Sequence, residues 1–160
     1  MKYLALVSGF LTALALMACG NSSSADSARP QAEPSVVEVT GPRSKRKILI
    51  PPGPPPKHLV VRDLREGTGP AVESVKDEIV VNYVGVGYSL GNVLYNSWDD
   101  GRPSTFLLEE THTGWERGLK GMKADGVREL ITPPRLQYGA GTDTLIYVIE
   151  LVRLKPASRS

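Results

Sequence analysis

The side chains that could do acid–base, nucleophilic or metal chemistry are few in this sequence, and their spacing does not suit it. The two histidines, His58 and His112, are far apart and neither has a cysteine partner. The two aspartates at 99–100 and the two glutamates at 109–110 are sequence neighbours, so they do not converge on one substrate atom as paired catalytic carboxylates must. The sequence has no nucleophile elbow and no phosphate-binding glycine loop. We therefore predict no metal and no other cofactor.

What remains is a group of aromatic and aliphatic side chains in the second half of the chain. Every aromatic residue beyond the N-terminal segment lies between residues 83 and 147. Such a concentration marks the core of a domain and any apolar pocket within it, and the residue types alone leave both readings open. The side chains in question are Tyr83, Leu94, Phe106, Trp115, Tyr138 and Tyr147.

Length and composition limit the class of protein. The chain has 160 residues, which suits one domain with additional segments. The net charge of +2 is too small for a nucleic-acid binder, which shows a clustered basic face. A hydrophobic fraction of 41% is enough for a core. A single cysteine excludes an intramolecular disulfide and a cysteine-rich metal site.

Residues 1–18 have the pattern of a signal peptide. A short positive start precedes an apolar run over residues 4–17, which is shorter than the about 20 residues a membrane span needs. A leucine lies three residues before Cys19 and a small residue directly before it, which resembles the lipobox of bacterial lipoproteins. Lipid on Cys19 would anchor an exported protein to a membrane in the cell envelope. An ordinary secretory signal that ends near Ala18 is the alternative, and it also exports the chain.

Residues 19–56 read as a flexible tether rich in serine and proline. Eight of the thirteen prolines lie there, and such a segment cannot bury enough apolar surface to offset its ordering entropy. The basic cluster at 45–47 either touches anionic lipid or is a solvated linker. We expect residues 48–50 to lie on the domain surface, residues 57–155 to form the domain, and residues 156–160 to be a C-terminal tail.

One short helix is predicted inside this domain. Trp115, Leu119 and Met122 follow one another at i, i+4 and i+7 and share one helical face. Thr113 is the expected N-cap, with Glu116 three residues later as a capping box requires. A helix of this length does not persist alone, so its Trp115 face must pack on a sheet.

Strands surround this helix along the chain. Segments rich in β-branched residues and bounded by turn residues predict them. The fold class is therefore α+β, an antiparallel sheet of five to six strands curled around one short helix. The expected strands are 58–64, 78–86, 92–97, 105–108, 127–132 and 145–154.

Several motifs in this domain resemble those of the FKBP-type peptidyl-prolyl cis–trans isomerases. The helix carries GWERGLKGMK at 114–123, and the strand before it in the core carries VVNYVG at 80–85. GVREL at 126–130 and a Tyr-Gly pair at 138–139 follow in the family's order. The resemblance runs from about residue 59 to about residue 154, and it implies the same α+β fold.

The resemblance also implies an activity and a site. Members of the family isomerise X-Pro bonds, so the implied partners are proline-containing polypeptides, with no nucleic acid. Trp115 would be the floor under the prolyl ring, and Tyr138 would donate a hydrogen bond toward the bound ligand. Nothing in the sequence indicates a coiled coil, and we expect a monomer. The implied catalytic residues are Tyr83, Phe106, Trp115, Tyr138 and Tyr147.

The sequence departs from the family at several pocket positions. Leu94 and Tyr95 align with the family's Phe-Asp, so the aromatic wall is expected to become aliphatic. Thr111 and His112 stand where the family has Val-Ile, and the loop after the Tyr-Gly pair is short. We therefore include these four residues among the pocket candidates. The departures leave a second hypothesis open, a non-catalytic FKBP-fold module that binds or chaperones a client.

Overall fold

Eight strands, one α-helix and two single 3-10 turns make up the part of the chain that the structure describes. The structure is a computed structural model and describes residues 34–41, 44–139 and 141–158. The predicted signal peptide, Cys19 and the tether as far as residue 33 lie outside the described residues. Within the described ranges, no helix has the length and apolar character that crossing a bilayer requires. The elements are β1 (Ser35–Gly41), β2 (Ser44–Ile50), β3 (Val60–Arg65), β4 (Glu78–Gly87), β5 (Val93–Asn96), β6 (Ser104–Leu107), a first 3-10 turn (Leu108–Glu110), α1 (Thr113–Leu119), β7 (Val127–Thr132), a second 3-10 turn (Pro134–Leu136) and β8 (Leu145–Lys155).

Six of the strands form one antiparallel sheet. Its order is β3-β7-β8-β4-β5, and β6 pairs with the first half of β4 on the same side as β5. β4 and β8 are the long central strands, and nearly all their residues are buried or half-buried. Long runs of valine and isoleucine suit such strands because both faces of the sheet are covered. The predicted α+β class is confirmed, as are six strands close to their expected bounds.

The inner face of the sheet packs against α1. Trp115 and Leu119 of the helix are buried in one apolar cluster with Leu130 of β7 and Ile149 of β8. Met122 belongs to the same cluster but lies three residues beyond the end of the helix. The helix has only seven residues, so this packing holds it folded.

Side chains at both ends of α1 hold it in place, in roles that the sequence did not predict. The N-cap is His112, one residue before the predicted Thr113, and its Nδ1 accepts a hydrogen bond from the Trp115 N–H at 3.3 Å. At the other end the buried Arg128 of β7 donates to the carbonyl of Gly118 at 2.9 Å. Asp63 of β3 accepts two hydrogen bonds from the same guanidinium, at 2.6 and 3.0 Å. The helix is thereby fixed to two strands of the sheet.

The second strand of a hairpin, within the predicted tether, packs on the outer face of the sheet. β1 and β2 pair antiparallel, with Val36 opposite Leu49. Ile48 and Ile50 are 1% and 7% exposed and pack with apolar residues of β4, β7 and β8. The Tyr88 hydroxyl also donates to the Pro51 carbonyl at 2.9 Å. The prediction of a tether up to residue 56 is therefore wrong for β1 and β2. The surface position expected for residues 48–50 holds for Leu49 but not for Ile48 and Ile50.

The alternation of side chains in β2 explains this correction. Lys47 and Leu49 are exposed while Ile48 and Ile50 are buried, which is the period of a half-buried strand. The surrounding prolines favour a flexible segment. A short strand with one apolar side can still become ordered by packing on the face of a folded sheet.

A matched pair of substitutions tests the role of the hairpin. Ile48→Ala should lower the free energy of unfolding by about 2–4 kcal/mol, because it removes a buried side chain and leaves a cavity. Leu49→Ala should cost less than about 1 kcal/mol, since Leu49 lies on the exposed side of the same strand. Chemical denaturation measures both values, and equal small losses would mean that the hairpin does not stabilise the domain.

Candidate functional site

A cavity of about 170 Å³ opens where α1 faces the sheet. It is smaller than the about 300–1,000 Å³ of a typical small-molecule site, so it suits a single ring. Its lining comes from four strands, the helix region and the segment after the second 3-10 turn. The lining residues are Tyr83, Tyr95, Phe106, Thr111, His112, Trp115, Tyr138 and Tyr147.

The deepest part of the cavity is built by Trp115 and Tyr147. Each is 4% exposed, and their rings meet edge to face at 5.6 Å between centroids. Tyr147 lies opposite Gly85 in the β4–β8 register. A Cβ on Gly85 would stand 2.9 Å from the Tyr147 ring and 2.8 Å from the Tyr95 ring. Gly85 is therefore required for both tyrosines to pack against β4, a role that its place in the VVNYVG motif could have indicated.

Tyr83 and Phe106 form one wall beside this floor. They come from β4 and β6, which pair with each other, and both rings present their edges to Trp115. The centroid distances to Trp115 are 5.0 and 5.8 Å, with interplanar angles of 89° and 88°. The hydroxyl of Ser97 accepts a hydrogen bond from the Tyr83 N–H at 2.8 Å and so ties the end of β5 to this wall. Edge-to-face pairs of this kind fix ring orientation.

The opposite wall is aromatic, which corrects the expectation of an aliphatic one. Tyr95 stacks on Tyr147 at 6.3 Å and lines the cavity, whereas Leu94 does not line it. The register explains the difference, because Gly85 pairs with Tyr95 and Val86 pairs with Val93. Leu94 is thus the extra residue of a β-bulge, which shifts the facing of side chains along the strand by one position.

Tyr138, Thr111 and His112 complete the rim. The Tyr138 ring is 66% exposed, and its hydroxyl donates to the carbonyl of Glu110. The donation from this hydroxyl to a bound ligand stays a prediction, and in the structure its acceptor is a backbone carbonyl at the mouth of the cavity. The His112 ring lies 5.5 Å from Tyr138 and 5.4 Å from Tyr147. Eight of the nine predicted pocket residues are thus brought together, and Leu94 is the exception.

The lining of the cavity is uncharged near neutral pH. Burial raises the pKa of Tyr147, with the neighbouring phenols of Tyr95 and Tyr83 adding to the effect. Burial also raises the pKa of Tyr83 and of Tyr138, so all three phenols keep their protons. Burial lowers the pKa of His112, which favours the neutral imidazole. Such a site can accept an apolar ring and strip water from it, but it offers no charged acid or base.

Within the ranges that the structure describes, no three histidine, cysteine, aspartate or glutamate side chains come together. The polar side-chain groups of the lining are phenol hydroxyls, one threonine hydroxyl, one imidazole and the indole N–H of Trp115.

The chain belongs to the FKBP-type peptidyl-prolyl cis–trans isomerase family, whose family model matches residues 70–152. It is 39% identical over 119 residues to the FK506-binding protein of Streptomyces anulatus, a match that covers 68% of this chain and 95% of that relative. It is 37% identical over 115 residues to a probable FK506-binding protein of Corynebacterium glutamicum, covering 68% of this chain and 97% of the relative.

The same family is found among solved structures. The crystal structure of FkpA from Escherichia coli superposes with a TM-score of 0.57 at 36% identity, covering 62% of this chain and 49% of FkpA. The enzyme class is therefore that of a peptidyl-prolyl isomerase, a family that acts on proline-containing peptides. The hairpin β1–β2 and the strand β3 lie before the matched residues.

Two adjacent side chains of equal exposure test the geometry of the wall. Tyr95→Ala should weaken binding of a short proline-containing peptide about three- to tenfold, because it removes an aromatic contact surface from the cavity. Leu94→Ala should leave that affinity unchanged, since Leu94 lies on the bulge and outside the lining. Peptide titration followed by NMR measures both. A larger loss of peptide affinity with Leu94→Ala than with Tyr95→Ala would mean that Leu94, and not Tyr95, forms this wall of the cavity.

Proposed function

We propose that the cavity over Trp115 is the active site, and that it accelerates rotation about X-Pro bonds of polypeptides. The observation that carries the proposal is the convergence of five aromatic residues from four different elements and a loop on one uncharged cavity of single-ring size. These five residues are Tyr83, Phe106, Trp115, Tyr138 and Tyr147. A sixth aromatic residue, Tyr95, lines the same cavity.

The reaction needs no acid, base or nucleophile. An X-Pro bond interconverts over tens of seconds because twisting the amide loses its resonance, with a barrier of about 18–20 kcal/mol. The planar amide is more dipolar than the twisted one, so an apolar cavity disfavours the planar ground state more than the transition state. That difference in binding lowers the barrier. The neutral side chains around Trp115 supply such an environment.

Orientation of the substrate falls to the rim. Tyr138 presents a protonated hydroxyl at the mouth, where it already donates to a backbone carbonyl. A substrate carbonyl that approached the same hydroxyl would replace the Glu110 carbonyl as its acceptor, so the exchange would conserve one hydrogen bond. The peptide would thus be held by its carbonyl while the prolyl ring lies against Trp115.

The wall that Tyr95 forms favours catalysis over the non-catalytic alternative. That alternative rests on the residues at 94 and 95, on Thr111 and His112, and on the short loop after the Tyr-Gly pair. Since Tyr95 stacks on Tyr147 in the cavity, an aromatic wall is present at residue 95. Thr111 and His112 also line the cavity, and the short loop is the departure that still favours the alternative.

The two buried tryptophans provide a matched test of the active site. Trp115→Leu should lower kcat/KM for a short X-Pro peptide about tenfold or more, because the floor of the cavity is lost. Trp98→Leu should leave kcat/KM within about twofold, because Trp98 is buried in the cluster on the outer face of the sheet.

Both substitutions remove a large buried ring, so their cost in folding free energy should be similar, about 2–4 kcal/mol each. The assay should follow cis–trans exchange by NMR without a coupling protease, with circular dichroism to verify folding. Full activity in a folded Trp115→Leu protein would refute the assignment of the site.

We further propose that the protein works outside the cytoplasm as a lipid-anchored monomer, on envelope or secreted polypeptides. The support is the sequence before the folded unit: an apolar run of signal-peptide length followed by the lipobox-like residues that end at Cys19. The Ser- and Pro-containing segment after Cys19 would let the domain reach polypeptides away from the membrane surface.

Lipid anchoring has its own test. Cys19→Ala should abolish incorporation of labelled fatty acid and move the protein from the membrane fraction to the soluble fraction, because no acyl chain would remain to hold it. Isomerase activity of the released protein should be unchanged, since Cys19 lies outside the domain. Unaltered membrane fractionation would refute the anchor and leave the ordinary secretory signal.

A further inference from the structure

His112 occupies an unusual position for a titratable side chain. It is 8% exposed, caps the first turn of α1 and lines the cavity at the same time. Its imidazole lies 5.9 Å from the Trp115 ring, between that ring and the rim. The proposed function makes no use of the acid–base chemistry of this side chain. Unlike an apolar side chain, an imidazole can accept a hydrogen bond and take up a proton.

The hydrogen bonding of His112 requires a neutral ring. Nδ1 accepts from the Trp115 N–H at 3.3 Å, so Nδ1 must lack a proton and the proton of the neutral ring lies on Nε2. The His112 carbonyl accepts from the same N–H at 2.9 Å and from the Glu116 N–H at 3.2 Å. The first turn of the helix, and with it the backbone of Trp115, is therefore held by one residue.

Protonation would reverse this contact. A second ring proton would place an N–H of His112 against the N–H of Trp115, two donors facing each other. The charge would also be created on a side chain that is only 8% exposed, and the backbone at Leu136 and at His112 itself would offset the cost of burial only in part. Both effects push the ring away from the helix. A Cβ on Gly114 would stand only 3.0 Å from the ring, so the ring has little room to move on that side.

We propose that His112 is a positioning residue whose neutral form holds Trp115 at the floor of the cavity, and that acid switches the isomerase off by protonating it. This inference rests on the proposed function of the cavity. It adds a pH range of action, with the enzyme active at neutral pH and weakened in an acidified envelope.

The groups that face the imidazole are compatible with a pH switch that depends on His112 alone. Tyr138, from the segment after the second 3-10 turn, and Tyr147, from β8, face it as phenols, and burial raises the pKa of each. Both therefore stay neutral in acid. From the second 3-10 turn, Arg135 directs its guanidinium to the Lys57 carbonyl and to His58 instead.

The carboxylates nearest in sequence are those of Glu110 and Glu116, on either side of His112. Both act on the phenol of Tyr138. β7 reaches the ring region through Thr132, an uncharged side chain packed against Gly114.

The direction of the pH effect follows from burial. Burial lowers the pKa of His112 below the value of 6.5 usual for histidine, with the backbone at Leu136 opposing this in part. A folded-state pKa below the unfolded one means that the stabilising contact is complete above about pH 6.5 and is lost as the pH falls through the folded-state pKa. Activity should therefore decline on the acid side only.

The experiment measures kcat/KM from about pH 8 down to the lowest pH at which circular dichroism shows the chain folded, by protease-free NMR exchange, with a blocked X-Pro peptide that has no titratable group. The full-length protein should lose about tenfold in activity over this range, the effect of one lost hydrogen bond joined to a buried charge. His112→Asn keeps an oxygen acceptor for the Trp115 N–H but cannot titrate, so its activity, relative to its own value at about pH 8, should stay level.

The second histidine is the matched control. His58 is exposed, outside the cavity, and His58→Gln should keep the pH dependence of the unmodified protein. A pH profile that is flat in the unmodified protein, that persists in His112→Asn, or that vanishes in His58→Gln would overturn the inference.

An NMR titration separates failure of this inference from failure of the proposed function. The His112 imidazole signals and the Trp115 amide signal should shift with one common midpoint, below pH 6.5, while circular dichroism shows the chain folded. If no isomerase activity is found at any pH, the proposed function fails, and the common midpoint alone then decides whether His112 holds Trp115. Separate midpoints would overturn the positioning role.

Discussion

The structure depends on holding a seven-residue helix against the sheet. A helix this short has too few internal hydrogen bonds to offset the cost of its nucleation, so α1 exists only because it is docked. Packing of Trp115 and Leu119 on the inner face supplies the apolar contact. His112 fixes the first turn and Arg128 fixes the last carbonyls. The floor of the cavity is therefore set by the same contacts that keep the helix folded.

The sheet can serve as a rigid platform for this helix because its outer face is covered as well. The β1–β2 hairpin lies before the residues that the family model matches, and it buries Ile48 and Ile50 against the central strands. Trp98 belongs to the cluster beneath it. The strands that carry Tyr83 and Tyr147 are thus packed on both sides, which limits their movement relative to α1.

Much of this could be predicted from the sequence. Runs of β-branched residues located the six strands of the sheet, and the spacing of Trp115 and Leu119 located the helix and its buried face. The aromatic concentration between residues 83 and 147 indicated where the cavity lies. The order of the motifs indicated the family that the comparisons confirm.

The errors concern features that residue preferences and local sequence patterns do not determine. A bulge in β5 decides whether residue 94 or 95 faces the cavity, and a bulge is set by pairing with β4 rather than by local pattern. The capping role of His112 was missed because a threonine beside it has the stronger intrinsic preference. β2 was assigned to a tether because only packing against the sheet offsets the conformational entropy that this short segment loses on ordering. The local sequence does not show that contact.

The indole N–H signals of Trp115 and Trp98 would show directly whether X-Pro peptides bind and isomerise in the cavity over Trp115. One indole lies at the floor of the cavity on the inner face, and the other lies in the outer cluster. In a ¹⁵N-labelled protein titrated with a short X-Pro peptide, we expect the Trp115 signal to shift in step with faster cis–trans exchange of the peptide, while the Trp98 signal stays in place. Faster exchange of the peptide with no change in the Trp115 signal, or with a shift of the Trp98 signal alone, would mean that the cavity over Trp115 is not the active site.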